Sequence, residues 1–202
     1  MLTIALPKGR IADETLDRFE KAFGEKFVFE DRKLILKKSG FTFLNVRNQD
    51  VPTYVMHGAA DLGVVGLDVL EEKEYDLIKL LDLKLGRCKV AFGLRAGEEL
   101  NFDKSKITIA TKHEKIAKKY FEEKAMAVEI IKLYGSIELA PLVGLCDCIV
   151  DIVETGETMK QNGLEVGPTI MESSAHLISN KNSFYAKKDL ILDLKEKIEV
   201  FL

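Results

Sequence analysis

Short apolar runs and helically spaced apolar positions follow one another along the first half of the chain. Residues 2–6 are mostly apolar and predict a buried strand, which Pro7 ends. Residues 11–23 place apolar side chains near helical spacing between charged ones and predict a helix. Pro52 begins a short predicted helix that ends near Gly58. Further apolar runs predict strands, at residues 27–29, 34–36, 41–46 and 61–65.

From about residue 107 the pattern changes to a regular alternation of strands and helices, which is typical of crossover units and a parallel sheet. Pro141 falls within one of these helices, so that helix either kinks there or begins later. Residues 75–95 are expected to be largely extended, and residues 187–202 form a charged amphipathic helix. The alternation predicts strands at 107–110, 128–133 and 148–153, and helices at 113–124, 136–145 and 156–162.

This order of elements predicts an α/β fold of two lobes. The first lobe would contain residues 1–95 plus about 176–202, and the second residues 96–175. The chain would thus leave the first lobe and return to it, in a two-lobe architecture like that of periplasmic binding proteins. Ligands of such folds bind at the carboxyl ends of strands, so we expect a ligand cleft between the lobes.

Composition narrows the function classes. Hydrophobic residues make up 47% of the chain, and 30 basic against 33 acidic residues give a net charge of −3, which argues against a nucleic-acid or membrane-surface partner. Cys88, Cys146 and Cys148 are odd in number and lack CxxC spacing, which favours a reducing cytosol over a disulfide framework or zinc site. With no apolar run of membrane-spanning length, we expect a cytoplasmic protein.

A candidate phosphate-binding loop follows the predicted strand 148–153. Thr155-Gly156-Glu157-Thr158 places a glycine where the backbone must turn, so amides, hydroxyls and a helix N-terminus could point at one phosphate. Asp151 and Glu154 could accept hydrogen bonds from the hydroxyls of an attached sugar. On spacing alone, an ordinary strand with a terminal Asp and a Thr-Gly helix start is the better supported interpretation.

A family resemblance changes that balance. The positions from Glu138 to Met159 resemble the signature of the ATP phosphoribosyltransferase family in order and spacing, with Cys146 where a smaller residue is expected. His113 stands where the family often has an aromatic residue. Further blocks that resemble the family cover nearly the whole chain: Pro7-Lys8-Gly9-Arg10, 50–55, 58–61, 66–68 and 133–136.

The resemblance implies the first step of histidine biosynthesis. In that reaction ATP and phosphoribosyl pyrophosphate give phosphoribosyl-ATP and pyrophosphate, with Mg²⁺ carried by the pyrophosphate substrate. Family members of this length lack the regulatory domain of longer forms. The resemblance therefore also implies a homodimer and a hetero-oligomer with a regulatory subunit similar to histidyl-tRNA synthetase.

The expected chemistry is displacement at the anomeric carbon of the ribose, so stabilising the charge on the leaving pyrophosphate is the main demand. Guanidinium groups suit that task, and the resemblance gives it to Arg10 and Arg32. Lys8 and Gly9 would bind substrate beside Arg10. Without the resemblance, Arg10 would be taken to flank a helix and Arg32 to be a solvated turn residue.

Two further residues are assigned to substrate binding with an alternative left open. Asp68 and Glu138 either line the ligand site or serve as a helix cap and a solvated helix residue. The three histidines show neither metal-ligand nor triad spacing, so no protein metal site is expected.

Two rival functions remain. A solute- or effector-binding module shares the two-lobe plan but does not require the threonine-glycine loop. A phosphoribosyltransferase acting on another base usually has two adjacent acids before the loop, whereas Ile152 follows Asp151 here.

Overall fold

Two units make up the chain in the computed structural model, which describes residues 1–101 and 103–202. The first unit contains Met1–Gly86 and Ser174–Leu202, and the second contains Arg87–Ser173. Residues 88–95, assigned to the first lobe from sequence, form a strand that pairs inside the second unit. The chain leaves the first unit before this strand because its backbone partners lie in the second sheet.

The first unit is built on a six-stranded sheet. Its strands are β1 (Leu2–Pro7), β2 (Ile35–Lys38), β3 (Phe41–Val46), β4 (Leu62–Gly66), β5 (Ile78–Asp82) and β11 (Ala175–Ser179). Their order is β2-β3-β1-β4-β11-β5. Strand β1 runs parallel to β3 and β4, whereas β11 runs antiparallel to β4 and β5. The helices are α1 (Arg10–Phe23), α2 (Val51–Met56), α3 (Leu67–Lys73), α7 (Lys181–Ala186) and α8 (Lys188–Glu199).

Apolar side chains cover both faces of this sheet because successive residues of a strand point to opposite sides. Ile4 and Leu6 of β1 belong to one core, together with Phe19 of α1, and Ala5 belongs to the other. The predicted strands at 2–6, 34–36, 41–46 and 61–65 are confirmed within one or two residues at their ends, as is the helix at 11–23.

The predicted strand at 27–29 is wrong, because its apolar side chains serve ring packing and not strand pairing. Residues 27–29 form no regular element, yet Phe27 is buried. Its ring packs edge-on against Phe19 and Phe43, with centroids 6.0 and 5.5 Å away. The apolar run of three residues therefore indicated a contact with the core and not a strand.

The second unit is built on a five-stranded sheet. Its strands are β6 (Cys88–Arg95), β7 (Ile107–Thr111), β8 (Val128–Lys132), β9 (Cys148–Val153) and β10 (Leu164–Ser173), in the order β10-β6-β9-β7-β8. Its helices are α4 (Glu114–Glu122), α5 (Leu139–Leu142) and α6 (Glu157–Gln161). Strands β8, β7 and β9 are parallel, as predicted, whereas β6 and β10 are antiparallel to their neighbours.

Two predicted helices of this unit are shorter than expected. Residues 136–145 contribute only Leu139–Leu142, since Pro141 lacks an N–H and Gly144 adopts a φ of 74° that ends the helix. The helix expected at 156–162 spans Glu157–Gln161, since Gly156 is left-handed and lies outside it. In residues 1–101 and 103–202, no helix is long and apolar enough to cross a membrane.

Candidate active site

The carboxyl ends of β7 and β9 meet at one edge of the second sheet, because the two strands are parallel neighbours with Thr111 opposite Val150. Thr111 ties these ends together: its Oγ1 donates to the Val150 carbonyl at 2.6 Å and accepts from the backbone N–H of His113 at 2.8 Å. The residues that follow these positions, Lys112 and Asp151, are therefore held side by side.

Asp151 is the acidic residue of this edge. Its side chain is 15% exposed and lies on the same strand face as Ile149 and Val153. Those two residues pack in an apolar core that also contains Met159 of α6. Its Oδ1 accepts a hydrogen bond from the Ile152 backbone N–H at 2.8 Å.

Two basic side chains contact that same oxygen. The Lys112 Nζ lies 3.0 Å from Asp151 Oδ1, and the His113 Nε2 lies 3.8 Å from it. His113 is 2% exposed, so this histidine is buried against a predicted site residue. Lys112 was not singled out from sequence. The signal that points to it is the expected parallel pairing of strands 107–110 and 148–153.

The loop from Glu154 to Gly156 turns the chain from β9 into α6. Gly156 adopts the left-handed conformation, with φ 82° and ψ −1°, which disfavours any residue with a Cβ. Thr155 Oγ1 accepts from the backbone N–H of Glu157 at 3.3 Å, which satisfies one of the first amides of α6. The buried Met159 anchors the helix in the core. With five residues, α6 contributes little dipole, so the loop's amides and hydroxyls supply the polarity.

A pocket of about 330 Å³ opens between this loop and Glu138. The predicted site residues among its lining are Glu138, Asp151, Glu154, Thr155, Gly156 and Thr158. Glu157 is the predicted loop residue outside this lining; its Oε1 accepts from Gln161 Nε2 at 3.0 Å along α6. The pocket has the size of a small-molecule site and presents both acceptors and donors.

The remaining predicted residues belong to the first unit. Lys8 donates its backbone N–H to the Val46 carbonyl at 2.8 Å, and Gly9, with φ 96°, precedes the first residue of α1. Arg10 begins α1 with an exposed side chain, whose Nε lies 3.7 Å from Glu14 Oε1.

Arg32 and Asp68 differ sharply in exposure. Arg32 is an exposed turn residue after Asp31, whose φ is 46°. Asp68 lies in the first turn of α3 and is only 3% exposed, although Gly66 occupies the cap position. Among the side chains that the structure describes, no group of three or more His, Cys, Asp or Glu could hold a metal ion.

Comparison with known proteins identifies relatives over almost the full length. The profile of the family described as "HisG: ATP phosphoribosyltransferase" matches residues 47–200. The ATP phosphoribosyltransferase of Wolinella succinogenes is 68% identical, with 98% of this chain and 96% of the relative covered. That of a Sulfurovum species is 66% identical, with 98% and 97% covered.

Solved structures give the same picture of the fold. The chain is similar to one in the ATP phosphoribosyl transferase (HisG:HisZ) complex from Thermotoga maritima, with a TM-score of 0.84, 36% identity, and 98% and 97% of the two chains covered. It also resembles a substrate binding protein of an amino acid ABC transporter, with a TM-score of 0.61, 14% identity, and 98% and 91% covered. The second likeness concerns the fold alone.

Proposed function

Because the chain belongs to the ATP phosphoribosyltransferase family, we propose that its residues 151–159 bind phosphoribosyl pyrophosphate. The enzyme transfers the phosphoribosyl group of that substrate to N1 of ATP. The reaction gives phosphoribosyl-ATP and pyrophosphate and is the first step of histidine biosynthesis. The observation that carries the proposed site is the pocket in which acidic and hydroxyl side chains of one loop converge.

The two ends of the loop suit the two parts of a ribose 5-phosphate. Thr155, Gly156 and Thr158 offer hydroxyls and backbone N–H groups, which bind phosphate oxygens without adding charge. Asp151 and Glu138 offer carboxylates, which accept hydrogen bonds from ribose hydroxyls. Glu154 and Glu157 lie on either side of Thr155 and Gly156 in the loop. We propose that the Glu154 carboxylate also accepts a hydrogen bond from a ribose hydroxyl.

The first unit supplies the candidates for leaving-group stabilisation. As pyrophosphate departs, positive charge develops on the anomeric carbon and negative charge on the leaving oxygens. Arg10, whose exposed guanidinium follows the Gly9 turn, and Arg32 can bind those oxygens, and Lys8 and Gly9 can add a cation and an amide. We assign Asp68 to ATP or substrate binding in the same unit. Mg²⁺ enters as part of the pyrophosphate substrate.

Thr158→Val tests the proposed phosphate site. The variant removes one hydroxyl of the pocket and should raise KM for phosphoribosyl pyrophosphate about tenfold, with KM for ATP unchanged, because one hydrogen bond to a charged group is lost. Initial rates are measured from product absorbance with ATP and Mg²⁺ present. Thr169→Val, at an exposed threonine of β10, is the matched control. Equal KM values in Thr158→Val and the control would place the phosphate elsewhere.

Arg10→Ala tests the leaving-group assignment. Loss of one charge that acts in the transition state should cost about 2–4 kcal/mol and lower kcat far more than it weakens ATP binding. Lys21→Ala removes another exposed positive charge from α1 and serves as the control. An equal loss in kcat and in ATP affinity would reduce Arg10 to a binding role.

We propose that the chain acts in the cytoplasm as a homodimer that joins a regulatory subunit similar to histidyl-tRNA synthetase. Its three cysteines are free thiols, as in a reducing compartment, and the Thermotoga maritima relative forms a HisG:HisZ complex. The mass of the purified chain, measured alone and with a candidate subunit, tests both assemblies. A monomer that stays monomeric with the subunit and gains no activity from it would contradict the proposal.

A further inference from the structure

The ion pair between Lys112 and Asp151 is less exposed than the pair on the neighbouring helix α4. Its side chains are 36% and 15% exposed, whereas those of Lys118 and Glu122 are 66% and 63% exposed. Exposed pairs contribute little to stability, while a part-buried pair constrains both groups. Lys112 also directly follows β7, at the edge where the proposed site lies.

Lys112 and the backbone engage the same oxygen of Asp151. Oδ1 accepts from the Ile152 N–H at 2.8 Å and lies 3.0 Å from Lys112 Nζ. The His113 Nε2 lies 3.8 Å from the same oxygen. These contacts restrain the orientation of a carboxylate that lines the pocket.

The position of the lysine is itself set by non-local structure. The parallel register places Thr111 beside Val150, and the Thr111 hydroxyl bridges the two strand ends. The next residues, Lys112 and Asp151, therefore face one another before any ligand arrives. Such preorganisation lowers the cost of ordering a binding group when substrate enters.

We propose that Lys112 is a positioning residue for phosphoribosyl pyrophosphate, which holds the Asp151 carboxylate in the orientation that accepts a hydrogen bond from a ribose hydroxyl. The proposal rests on the proposed function, since it requires that Asp151 contacts the ribose. It adds a residue on a different strand, outside the loop, that acts on substrate only through Asp151.

Steady-state kinetics of the full chain test this role. Lys112→Met keeps the aliphatic stem but removes the charge, and it should raise KM for phosphoribosyl pyrophosphate about tenfold, as loss of an outer-shell partner does at metal sites. KM for ATP should stay within about twofold. Lys112→Arg should restore most of the affinity, because a guanidinium still contacts Oδ1. Lys118→Met, which breaks an exposed pair on the neighbouring helix, should match the unmodified chain.

A double-mutant cycle separates positioning from a direct effect. Asp151→Asn alone should raise the same KM, and adding Lys112→Met to it should change KM less than about twofold, because the group being positioned is already lost. Additive effects, or an equal rise in both KM values in Lys112→Met, would overturn the proposal. Thermal melting of each variant identifies those that fold, and Lys112→Gln replaces Lys112→Met if the latter does not.

Failure of the proposed function has a different outcome. If Asp151→Asn and Thr158→Val both leave KM for phosphoribosyl pyrophosphate unchanged, the pocket at 151–159 is not its site and the positioning role falls with it. If both raise KM while Lys112→Met does not, the site stands and the role of Lys112 alone is refuted.

Discussion

Replacing Gly156 by alanine should damage the loop in a way that a matched glycine replacement does not. Gly156 has a φ of 82°, and a Cβ added there would lie 3.0 Å from Val166 Cγ2. Gly163 has a φ of 72°, and a Cβ added there would meet no atom within 4 Å. Both alanines are strained by the left-handed backbone, but only the first also meets a neighbouring side chain.

The two contributions can be estimated separately. A left-handed non-glycine residue costs roughly 1–2 kcal/mol, which Gly163→Ala should show alone. An overpacked contact adds about 1–3 kcal/mol, so Gly156→Ala should lose about 2–5 kcal/mol of unfolding free energy. If the loop moves to relieve the contact, the groups of the phosphate site move with it, and KM for phosphoribosyl pyrophosphate should rise about tenfold or more.

Urea denaturation and initial-rate kinetics measure these two effects. Val166→Ala, added to Gly156→Ala, removes the Cγ2 that the new Cβ meets and should bring KM back toward that of Val166→Ala alone. Gly163→Ala should be destabilised with an unchanged KM. Equal KM values in the two glycine variants, or no recovery with Val166→Ala, would refute the reasoning from Gly156.

Two further predictions concern titration. Burial raises the pKa of Asp61, but hydrogen bonds from Lys187 and the Thr3 N–H outweigh it, so the pKa lies below its usual value. A lowered pKa contributes stability at pH values above the unfolded pKa of about 4, and that stability is lost as the pH falls through the folded pKa. Asp61→Asn should therefore flatten the acid side of a stability–pH profile. An unchanged acid limb would contradict this. Burial also raises the pKa of Cys148 to about 12, so in native protein at pH 8 iodoacetamide should label Cys88 before Cys148, as peptide mass spectrometry would show; equal labelling would contradict it.

Local patterns predicted those parts of the fold whose sequence signals are strong. Strands β1 and β9 are mostly apolar runs that end in a proline and a polar loop, and both were predicted nearly to the residue. The threonine-glycine loop was predicted because a glycine between a strand and a helix marks a left-handed turn. These features depend on neighbours along the chain.

Features that depend on pairing were missed. Strand β10 contains Gly167 and Pro168 and carries charged residues, so neither period nor propensity marks it as a strand. Its pairing with β6 is irregular at that point, between Val166 and Thr169, which accommodates the proline. The contact of Lys112 with Asp151 likewise requires the β7–β9 register, which no local window contains.

The fold alone does not distinguish an enzyme of this family from a solute-binding protein, because a transporter's substrate binding protein shares it at 14% identity. The difference must lie in what the strand edge carries. Here the edge presents a fixed carboxylate at Asp151, a left-handed glycine at Gly156 and hydroxyls on either side of it. A binding module needs affinity for a whole solute, whereas a transferase must hold the ribose and its phosphate rigidly while another group leaves. Three contacts restrict the motion of this edge: the pairing of Lys112 with Asp151, the Thr111 bridge and the packing of Met159. Such a restrained edge suits a transferase better than a binding module.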